Sequence, residues 1–472
     1  MPGAVLLVRT PHTQFLGSVG LADVARRIPM RPDHAFRIGS ITKTFVGVVA
    51  AQMQAEGLLD TEKFVTSYLP ASITSRIQNS DRITVHQMLR HQSGIYNYDS
   101  SLLYALDRWL IFRHTEWPPL RMLEYSLDQP AVFPPGEEFS YSNPNYILTA
   151  LIIDRITGHH HSEEIRRRIL DPLQMTNSYY EGLEAPRGEL AHGYQWLFGT
   201  YDTTDWTPVI GGEAGLVSTV SDLGVFIRAV AGTSGFLDPE TRRVLKAGSD
   251  ENVDSEPAAR PVLRYDFGLA PTRASPGLPW FYGHRGIQPG YLCLAWHDPE
   301  NDITVVFFGS SSQLRLFDNM KTAFEFYARI EAAVFEQATR ETRGETIDYV
   351  RRYAPRVGSD LQGEWTGTVS SPLWPFSPLH LEVRIAEGTA GDFRAEMDNQ
   401  AEAMNCQPLS VSYSRPGVEL TLRSGAGRFR GEINRDRTKI TGQWIRDGHA
   451  TRATFARVQQ PAAGEERLAR KR

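Results

Sequence analysis

The sequence predicts an α+β fold in which an antiparallel sheet is flanked by helices and is followed by a small antiparallel β-barrel. Two largely apolar runs at residues 4–9 and 14–19 are separated by a short turn, which is typical of a β-hairpin. Two further runs at 291–296 and 303–308 are joined by a proline-containing turn and predict a second pair of strands. Between these pairs, the proline-free apolar stretch 46–58 predicts a largely buried helix.

The C-terminal part of the chain has a different pattern from the rest. From Leu361 onward, short runs of alternating apolar and polar residues are broken by glycine turns. This period of two predicts an antiparallel barrel. We therefore expect a first domain at residues 1–345, a linker at 346–360, a barrel domain at 361–460 and a polar, disordered tail at 461–472.

The composition limits the classes of function. At 472 residues the chain is long enough for more than one domain, and 41% hydrophobic residues are typical of a globular protein with a large core. A formal net charge of -5 gives no indication of nucleic-acid binding. We see no apolar run of membrane-spanning length and no signal peptide. As written, the chain is expected to be cytoplasmic, and export of a longer precursor stays open.

Ser40 and Lys43 lie at the predicted start of the first helix. At this spacing a serine hydroxyl and a lysine ammonium share one helix face. The backbone N–H groups of a first helical turn lack intrahelical partners and can stabilise developing negative charge. A partly desolvated lysine can also take the serine proton and turn the hydroxyl into a nucleophile. An N-capping serine followed by a surface lysine would give the same short motif.

A second candidate stretch places Tyr141 and Asn143 in a loop just ahead of the apolar helix predicted at 147–156. A phenol beside an ammonium loses its proton at reduced cost, and an amide can hold a substrate carbonyl or fix a lysine rotamer. The alternative is a tyrosine packed by its ring and an asparagine in an Asx turn. Taken alone, the stretch does not decide between these interpretations.

A third stretch, His284-Arg285-Gly286-Ile287, stands just ahead of the second predicted pair of strands. His284 could carry or position a proton, and glycine near the His-Arg pair lets the backbone approach a ligand. The N–H near Ile287 could join that of Ser40 around an oxyanion. A single histidine on an edge strand usually has no such role.

Other histidines are expected to be structural. His91 and Ser93 lie in a predicted tight turn, where polar side chains usually bond to the backbone. The run His159-His160-His161 suggests a metal site, but consecutive helical residues point in different directions. No Asp or Cys at ligand spacing accompanies the run, so we expect no metal there.

The order and spacing of the three candidate stretches resemble those of the penicillin-recognising serine hydrolases, which include class C β-lactamases, DD-peptidases, D-aminopeptidases and related esterases. The resemblance covers roughly residues 4–335. It implies an all-helical subdomain beside the sheet, and the C-terminal barrel looks like the lipocalin-like domain of some relatives. Further stretches that look like this family are Leu89–Gly94, Pro135-Gly136, Leu170–Met175 and Ala214–Ser218.

The resemblance also implies a role for each candidate residue. Ser40 would be the nucleophile, and Lys43 with Tyr141 would form the proton-relay base. Asn143 would contact the substrate amide and Lys43, and His284 would take the place often held by lysine in β-lactamases. Such a mechanism needs no metal ion and no organic cofactor.

The third stretch departs from the β-lactamase pattern. β-Lactamases and DD-peptidases usually carry hydroxyl residues that bind the substrate carboxylate, whereas this sequence has Arg285 and Ile287. Arg285 could supply the carboxylate contact instead. Gly286 belongs to the same substrate-binding stretch, and the backbone N–H groups of Ser40 and Ile287 would make the oxyanion hole.

The resemblance therefore implies a serine hydrolase that forms an acyl-enzyme at Ser40. Its leading form is an amide or peptide hydrolase that acts on small peptides, like DD-peptidases or D-aminopeptidases. An esterase, an acyltransferase or a peptide cyclase would use the same site, and a non-catalytic penicillin-binding sensor is a third class. The expected partner is a small peptide, amide or ester. The barrel could line the active-site entrance, or join copies of the chain into a homo-oligomer.

Overall fold

A computed structural model confirms the α+β class. It describes residues 2–101, 118–196, 200–207, 209–247, 265–272, 279–311 and, with short gaps, 363–458, together with a few residues between 103 and 107 and between 334 and 342. The predicted linker at 346–360 and the predicted tail at 461–472 lie outside the described residues. The chain divides into two compact units, Met1–Asp348 and Tyr349–Arg472.

A seven-stranded antiparallel sheet forms the centre of the first unit. Both predicted pairs of strands belong to it, and the N–H of Thr10 donates to the carbonyl of Thr13 to close the first hairpin. The two pairs meet in the middle of the sheet. In order across the sheet, the strands are β3 (Ile28–Pro29), β2 (Gln14–Asp23), β1 (Gly3–Arg9), β12 (Ile303–Gly309), β11 (Tyr291–Asp298), β10 (Phe281–Gln288) and β9 (Ala270–Thr272).

Two small sheets are separate from the large sheet in their strand pairing. The first has the order β4 (Phe36–Arg37), β8 (Leu216–Ser218) and β5 (Tyr179–Tyr180), and the second pairs β6 (Tyr194–Trp196) with β7 (Thr200–Asp202). Strand β4 directly precedes the Ser40 turn, so its pairing with β8 fixes where that turn begins.

The first helix is buried along most of its length, as its apolar sequence predicts. Five helices follow it without an intervening strand among the described residues, in agreement with the all-helical subdomain that the resemblance implied. The described helices are α1 (Thr42–Ala55), α2 (Ala71–Thr74), α3 (Val85–Leu89), α4 (Pro119–Leu123), α5 (Asn143–Thr157), α6 (His161–Ile165), α7 (Val220–Ala231) and α8 (Pro239–Ala247).

Local sequence signals explain several helix ends. Thr84 and Gln87 form a capping box at the start of α3. Helix α5 has Pro144 in its first turn and ends at Gly158 in the left-handed conformation. These signals place α5 directly after the loop that carries Tyr141.

The hydrophobic core joins the central sheet to two helices. Helix α7 packs on the sheet, where Gly224 leaves room for the side chain of Leu7 on β1. Phe45 of α1 stacks on Phe226 of α7 with ring centroids 3.6 Å apart. The helix that carries Lys43 is thereby held over the sheet. None of the helices described combines the length and the apolar character needed to cross a membrane.

The second unit is a closed antiparallel barrel, as the period-two pattern predicted. Each strand pairs with the next, and the first pairs with the last. Buried side chains of the barrel include Trp365, Leu420 and Phe455. The strands are β13 (Gly363–Ser371), β14 (Trp374–Glu387), β15 (Phe393–Asn399), β16 (Met404–Ser414), β17 (Gly417–Leu422), β18 (Arg428–Ile433), β19 (Lys439–Arg446) and β20 (His449–Arg457).

Candidate active site

Ser40 lies in a single 3₁₀ turn, Gly39–Ile41, between β4 and α1. Gly39 adopts φ +53°, a left-handed conformation that favours glycine. This conformation carries the chain from the strand into the helix. Ser40 is partly exposed, whereas its neighbours Gly39 and Ile41 are buried. The hydroxyl of Ser40 is therefore presented on a tightly packed turn.

Arg37 anchors the strand that leads into this turn. Its guanidinium group forms a two-point ion pair with Glu181, with N···O distances of 2.7 Å and 2.8 Å. It also donates to the backbone carbonyls of Thr203, Thr204 and Trp206. Because this arginine is buried, its five hydrogen bonds fix the position of the backbone just ahead of Ser40.

Lys43 points from the first turn of α1 towards Ser40. Its Nζ donates to Ser40 Oγ at 3.0 Å and to the backbone carbonyl of Glu213 at 3.0 Å. The side chain is fully buried, and Nζ lies 5.0 Å from the ring centroid of Tyr141. Burial lowers the pKa of Lys43, while the negative charges of Glu213 and Asp99 oppose this change. A larger fraction of this amine is therefore unprotonated near neutral pH, and available as a base, than of an exposed lysine.

Tyr141 faces the same pair from the loop ahead of α5. Among the described residues, its hydroxyl makes no hydrogen bond of standard geometry. Burial raises the pKa of the phenol well above its ordinary value, and Ser40 opposes part of this rise. The sequence-based idea that a neighbouring ammonium makes this phenol easier to deprotonate is therefore wrong. Tyr141 is a neutral group that can donate and accept protons.

His91 supports the Tyr141 loop from behind, as its predicted structural role requires. The ring is fully buried, and its centroid lies 4.3 Å from that of Tyr141. Its Nδ1 accepts a hydrogen bond from the N–H of Ser142 at 3.1 Å. Ser93 donates to Asn145 Oδ1 at 2.6 Å, so both turn residues tie α3 to the start of α5.

Asn143 begins α5 and lies at the edge of the site. Its Nδ2 donates to Asp99 Oδ2 at 2.6 Å, and its backbone N–H donates to Asn97 Oδ1 at 3.3 Å. The carboxylate of Asp99, an exposed residue, therefore orients the amide. We did not identify Asp99 from the sequence, because nothing local distinguishes it from other surface acids.

His284 lies on β10 and faces Tyr141 and Tyr265. Its ring centroid is 6.3 Å from that of Tyr141, its Nε2 is 3.1 Å from the hydroxyl of Tyr265, and its Nδ1 is 2.5 Å from the carbonyl of Arg285. Burial lowers the pKa of His284 to about 3, so the imidazole is neutral near pH 7. It cannot replace the charge of a lysine in binding a substrate carboxylate.

Arg285 points away from His284, because adjacent residues on a strand face opposite sides of the sheet. Its guanidinium carbon lies 5.7 Å from the ring centroid of Trp296, which pairs with Gly283 on that opposite face. This orientation turns Arg285 towards Trp296 and gives no support to the expected contact with a substrate carboxylate, which stays a prediction. The alternation of a β-strand would have been sufficient to foresee it.

Gly286 and Ile287 bring β10 against the Ser40 turn. A Cβ atom on Gly286 would lie 1.9 Å from the carbonyl oxygen of Ile38, and one on Gly39 would lie 2.9 Å from the backbone nitrogen of Ile287. Only glycine allows such an approach between the two backbones. The backbone of Ile287 is thus held beside the turn that carries Ser40.

The His159–His161 run has an acidic neighbour that we did not predict. Ligand atoms of Asp154, His160 and His161 lie within 4.8 Å of one another, a group that could hold a metal ion. These residues already have partners. His161 Nδ1 lies 3.0 Å from Asp154 Oδ1, its Nε2 lies 2.9 Å from the hydroxyl of Tyr180, and His160 Nδ1 accepts from the N–H of Ser162. A metal would have to displace these contacts.

A partly exposed serine lies within hydrogen-bond distance of a buried lysine one turn later, and a half-buried tyrosine lies beside that lysine, an arrangement that is typical of serine hydrolases. The comparison with known families agrees with this geometry. The chain belongs to the Beta-lactamase family, whose model matches residues 1–324.

Individual relatives are more distant. Protein flp of Staphylococcus aureus (strain NCTC 8325 / PS 47) is 28% identical over 199 residues, which are 41% of this chain and only 38% of that protein. A penicillin-binding protein of Bacillus subtilis (strain 168) is 24% identical over 468 residues, covering 90% of this chain and 91% of that protein. The structure of a D-stereospecific amidohydrolase from Streptomyces sp. has a TM-score of 0.57 at 25% identity, covering 66% of this chain and 89% of that one.

Proposed function

We propose that this protein hydrolyses the amide bond of small aminoacyl amides or short peptides through an acyl-enzyme on Ser40. The observation that carries the proposal is the contact between Ser40 Oγ and the fully buried Nζ of Lys43 at 3.0 Å. A lysine that is buried in this way can act as a general base near neutral pH. The similarity to the D-stereospecific amidohydrolase supports D-aminoacyl substrates.

In the acylation step, Ser40 Oγ attacks the substrate carbonyl carbon while Lys43 accepts the hydroxyl proton. The oxyanion that forms is stabilised by the backbone N–H groups of Ser40 and Ile287, which belong to the turn and the strand held together by Gly39 and Gly286. The proton then passes through Tyr141 to the nitrogen of the leaving group, and the C–N bond breaks. A water molecule attacks the ester and releases the acid by the same proton path in reverse.

The charges near the site favour a substrate without a carboxylate next to the scissile bond. His284 is neutral, Arg285 faces the other side of the sheet, and Ile287 has no hydroxyl group. The carboxylate of Asp99 lies beside Asn143 and would repel a substrate carboxylate. These features support an aminoacyl amide over a β-lactam or a peptide that ends in D-Ala-D-Ala.

Intact-protein mass and product release with four acyl donors test this proposal. The donors are a D-aminoacyl amide, a D-Ala-D-Ala peptide, a β-lactam and a short ester. We expect turnover of the D-aminoacyl amide and a Ser40 adduct in the wild-type protein, and neither in Ser40→Ala. Ser67→Ala, at an exposed serine, is the matched control and should behave like the wild type.

Two outcomes would contradict the proposal. An adduct that persists in Ser40→Ala would place the nucleophile elsewhere. Cleavage of the short ester or the β-lactam, together with no cleavage of any amide, would assign the site to an esterase or to a penicillin-binding function instead.

A further inference from the structure

Glu213 contributes two different groups to the surroundings of Lys43. Its backbone carbonyl accepts the hydrogen bond from Nζ, and its side chain lies in the same buried region. The residue lies in a tight turn, Gly211–Ala214, closed by a hydrogen bond from the N–H of Ala214 to the carbonyl of Gly211. The hydroxyl of Tyr180 donates to Gly211 O at 2.6 Å and lies 3.1 Å from Ala214 O, which keeps this turn in place.

The carboxylate of Glu213 is buried with little hydrogen bonding. The residue is 3% exposed, Oε1 accepts one hydrogen bond from the hydroxyl of Tyr98 at 3.2 Å, and Oε2 has no hydrogen-bond partner among the described residues. Gly211 makes room for it, since a Cβ atom there would lie 2.0 Å from Oε2. A charged group held in this way is costly unless a nearby opposite charge compensates.

Lys43 is the cation coupled electrostatically to this carboxylate, and its Nζ is hydrogen-bonded to the backbone carbonyl of the same residue. Electrostatic attraction to Glu213 is the largest of the effects that keep a proton on Lys43, and attraction to Lys43 in turn opposes the rise that burial causes in the pKa of Glu213. The other titratable groups around the two residues are Tyr98, Asp99, Tyr141, Tyr146, Tyr180, His91 and His284. Of these, the two histidines are neutral because burial lowers their pKa values.

We propose that Glu213 is a positioning residue that acts through Lys43: its backbone fixes the amine beside Ser40, and its carboxylate sets the pH at which that amine becomes a base. The proposal rests on the proposed function, because it assumes that Lys43 takes the proton of Ser40. The role of the Glu213 backbone carbonyl depends on the conformation of the Gly211–Ala214 turn. The carboxylate role depends on charge alone, and a side-chain substitution can therefore test it.

The sign of the effect follows from electrostatics. Burial raises the pKa of Glu213 to about 7, and where its carboxylate is ionised, the negative charge stabilises the ammonium form of Lys43, which cannot accept a proton. Removal of that charge makes the ammonium form less favourable, so the neutral amine appears at lower pH. The acidic limb of the acylation profile should then move to lower pH.

The experiment measures the rate of Ser40 labelling by a fluorescent serine-directed fluorophosphonate as a function of pH. We expect the midpoint of the acidic limb to fall by about one pH unit in Glu213→Gln. Glu213→Asp keeps the charge and should stay near the wild-type midpoint. Glu240→Gln, at an exposed glutamate on α8, is the matched control and should leave the profile unchanged.

A second variant covers the case in which Glu213→Gln does not fold. Tyr98→Phe removes the one hydrogen bond to the carboxylate, which makes the charged form of Glu213 less favourable and should give a smaller shift in the same direction. If the midpoint is unchanged in every folded variant, the proposed role of Glu213 is overturned, while the proposed function is not affected. Failure to label the wild-type protein at any pH would instead overturn the proposed function, so the two failures are distinct.

Discussion

At the scale of single residues, the proposed chemistry depends on one buried amine, that of Lys43. Lys43 has no exposed surface, and its Nζ is bonded to one hydroxyl and one carbonyl oxygen. Burial makes the ammonium form costly, and a lysine responds by releasing its proton more readily. An arginine at this position would stay charged and could not act as a base. The same burial acts in the opposite direction on Tyr141, which keeps its proton.

Tyr141→Phe separates the proton relay from the stability of the site. The hydroxyl makes no hydrogen bond to the described residues, so its removal should change the free energy of unfolding by less than about 0.5 kcal/mol. Loss of the relay should lower kcat/KM for an amide substrate by about 10²-fold or more. Thermal unfolding and steady-state kinetics on the same preparation measure both effects. A variant with wild-type kinetics would remove Tyr141 from the mechanism.

At the scale of secondary-structure elements, the contact that forms the candidate site is the close approach of β10 to the Ser40 turn. Neither element makes the candidate site alone, because the turn holds the proposed nucleophile and the strand holds His284 and the backbone of Ile287. Gly39 and Gly286 allow the approach, since a Cβ on either would collide with backbone atoms of the other element. The two glycines therefore belong to the site although they carry no functional group.

Gly286→Ala should therefore damage both stability and activity. The new Cβ would lie 1.9 Å from the carbonyl oxygen of Ile38, so β10 or the turn has to move. We expect a loss of about 1–3 kcal/mol in the free energy of unfolding and a fall in the rate of Ser40 labelling. Denaturant unfolding and fluorophosphonate labelling measure the two effects.

Gly235→Ala is the matched control for this substitution. Gly235 is exposed, and a Cβ there meets no atom within 4 Å. Gly235→Ala should change neither the free energy of unfolding nor the rate of Ser40 labelling. A Gly286→Ala protein that labels as fast as Gly235→Ala would show that the approach of the strand is not needed for catalysis.

The division of the chain into two units is the main feature at the scale of the whole molecule. Every residue assigned to the site lies within Met1–Asp348, and the barrel strands lie within Tyr349–Arg472. The barrel has its own buried core, which includes Trp365 and Phe455. Its role at the active-site entrance or in forming a homo-oligomer stays a prediction, as does its likeness to lipocalin-like domains.

A chain cut after Asp348 tests whether the first unit is sufficient for catalysis. The central sheet and helices α1 and α7 form a core within that unit. We therefore expect the shortened protein to fold and to label at Ser40 at a rate comparable to that of the full chain. Circular dichroism checks that the shortened protein folds, and fluorophosphonate labelling measures its rate of reaction at Ser40. A folded but unlabelled protein would give the barrel a direct part in the site.

The sequence by itself determined the features that depend on neighbours along the chain. The spacing of Ser40 and Lys43 put the two groups on one side of a helical turn, the apolar runs predicted both pairs of strands, and the alternating pattern predicted the barrel. These features follow from helical and strand geometry, which act over a few residues. Local patterns also made Tyr141 and His284 candidates, and the resemblance to a family then implied that these residues, distant in the sequence, share one site with Ser40.

Only the tertiary structure decided the electrostatic state of the site. Glu213 lies 170 residues after Lys43, in a glycine-containing turn with no local signal of a role at the site. Asp99 resembled any surface acid, and Tyr265 had no local signal. The protonation of a group depends on its burial and on charges brought from remote segments, and no spacing along the chain encodes either. The sequence thus named the candidate nucleophile and its candidate base, and the fold decided the burial and the neighbouring charges that act on that base.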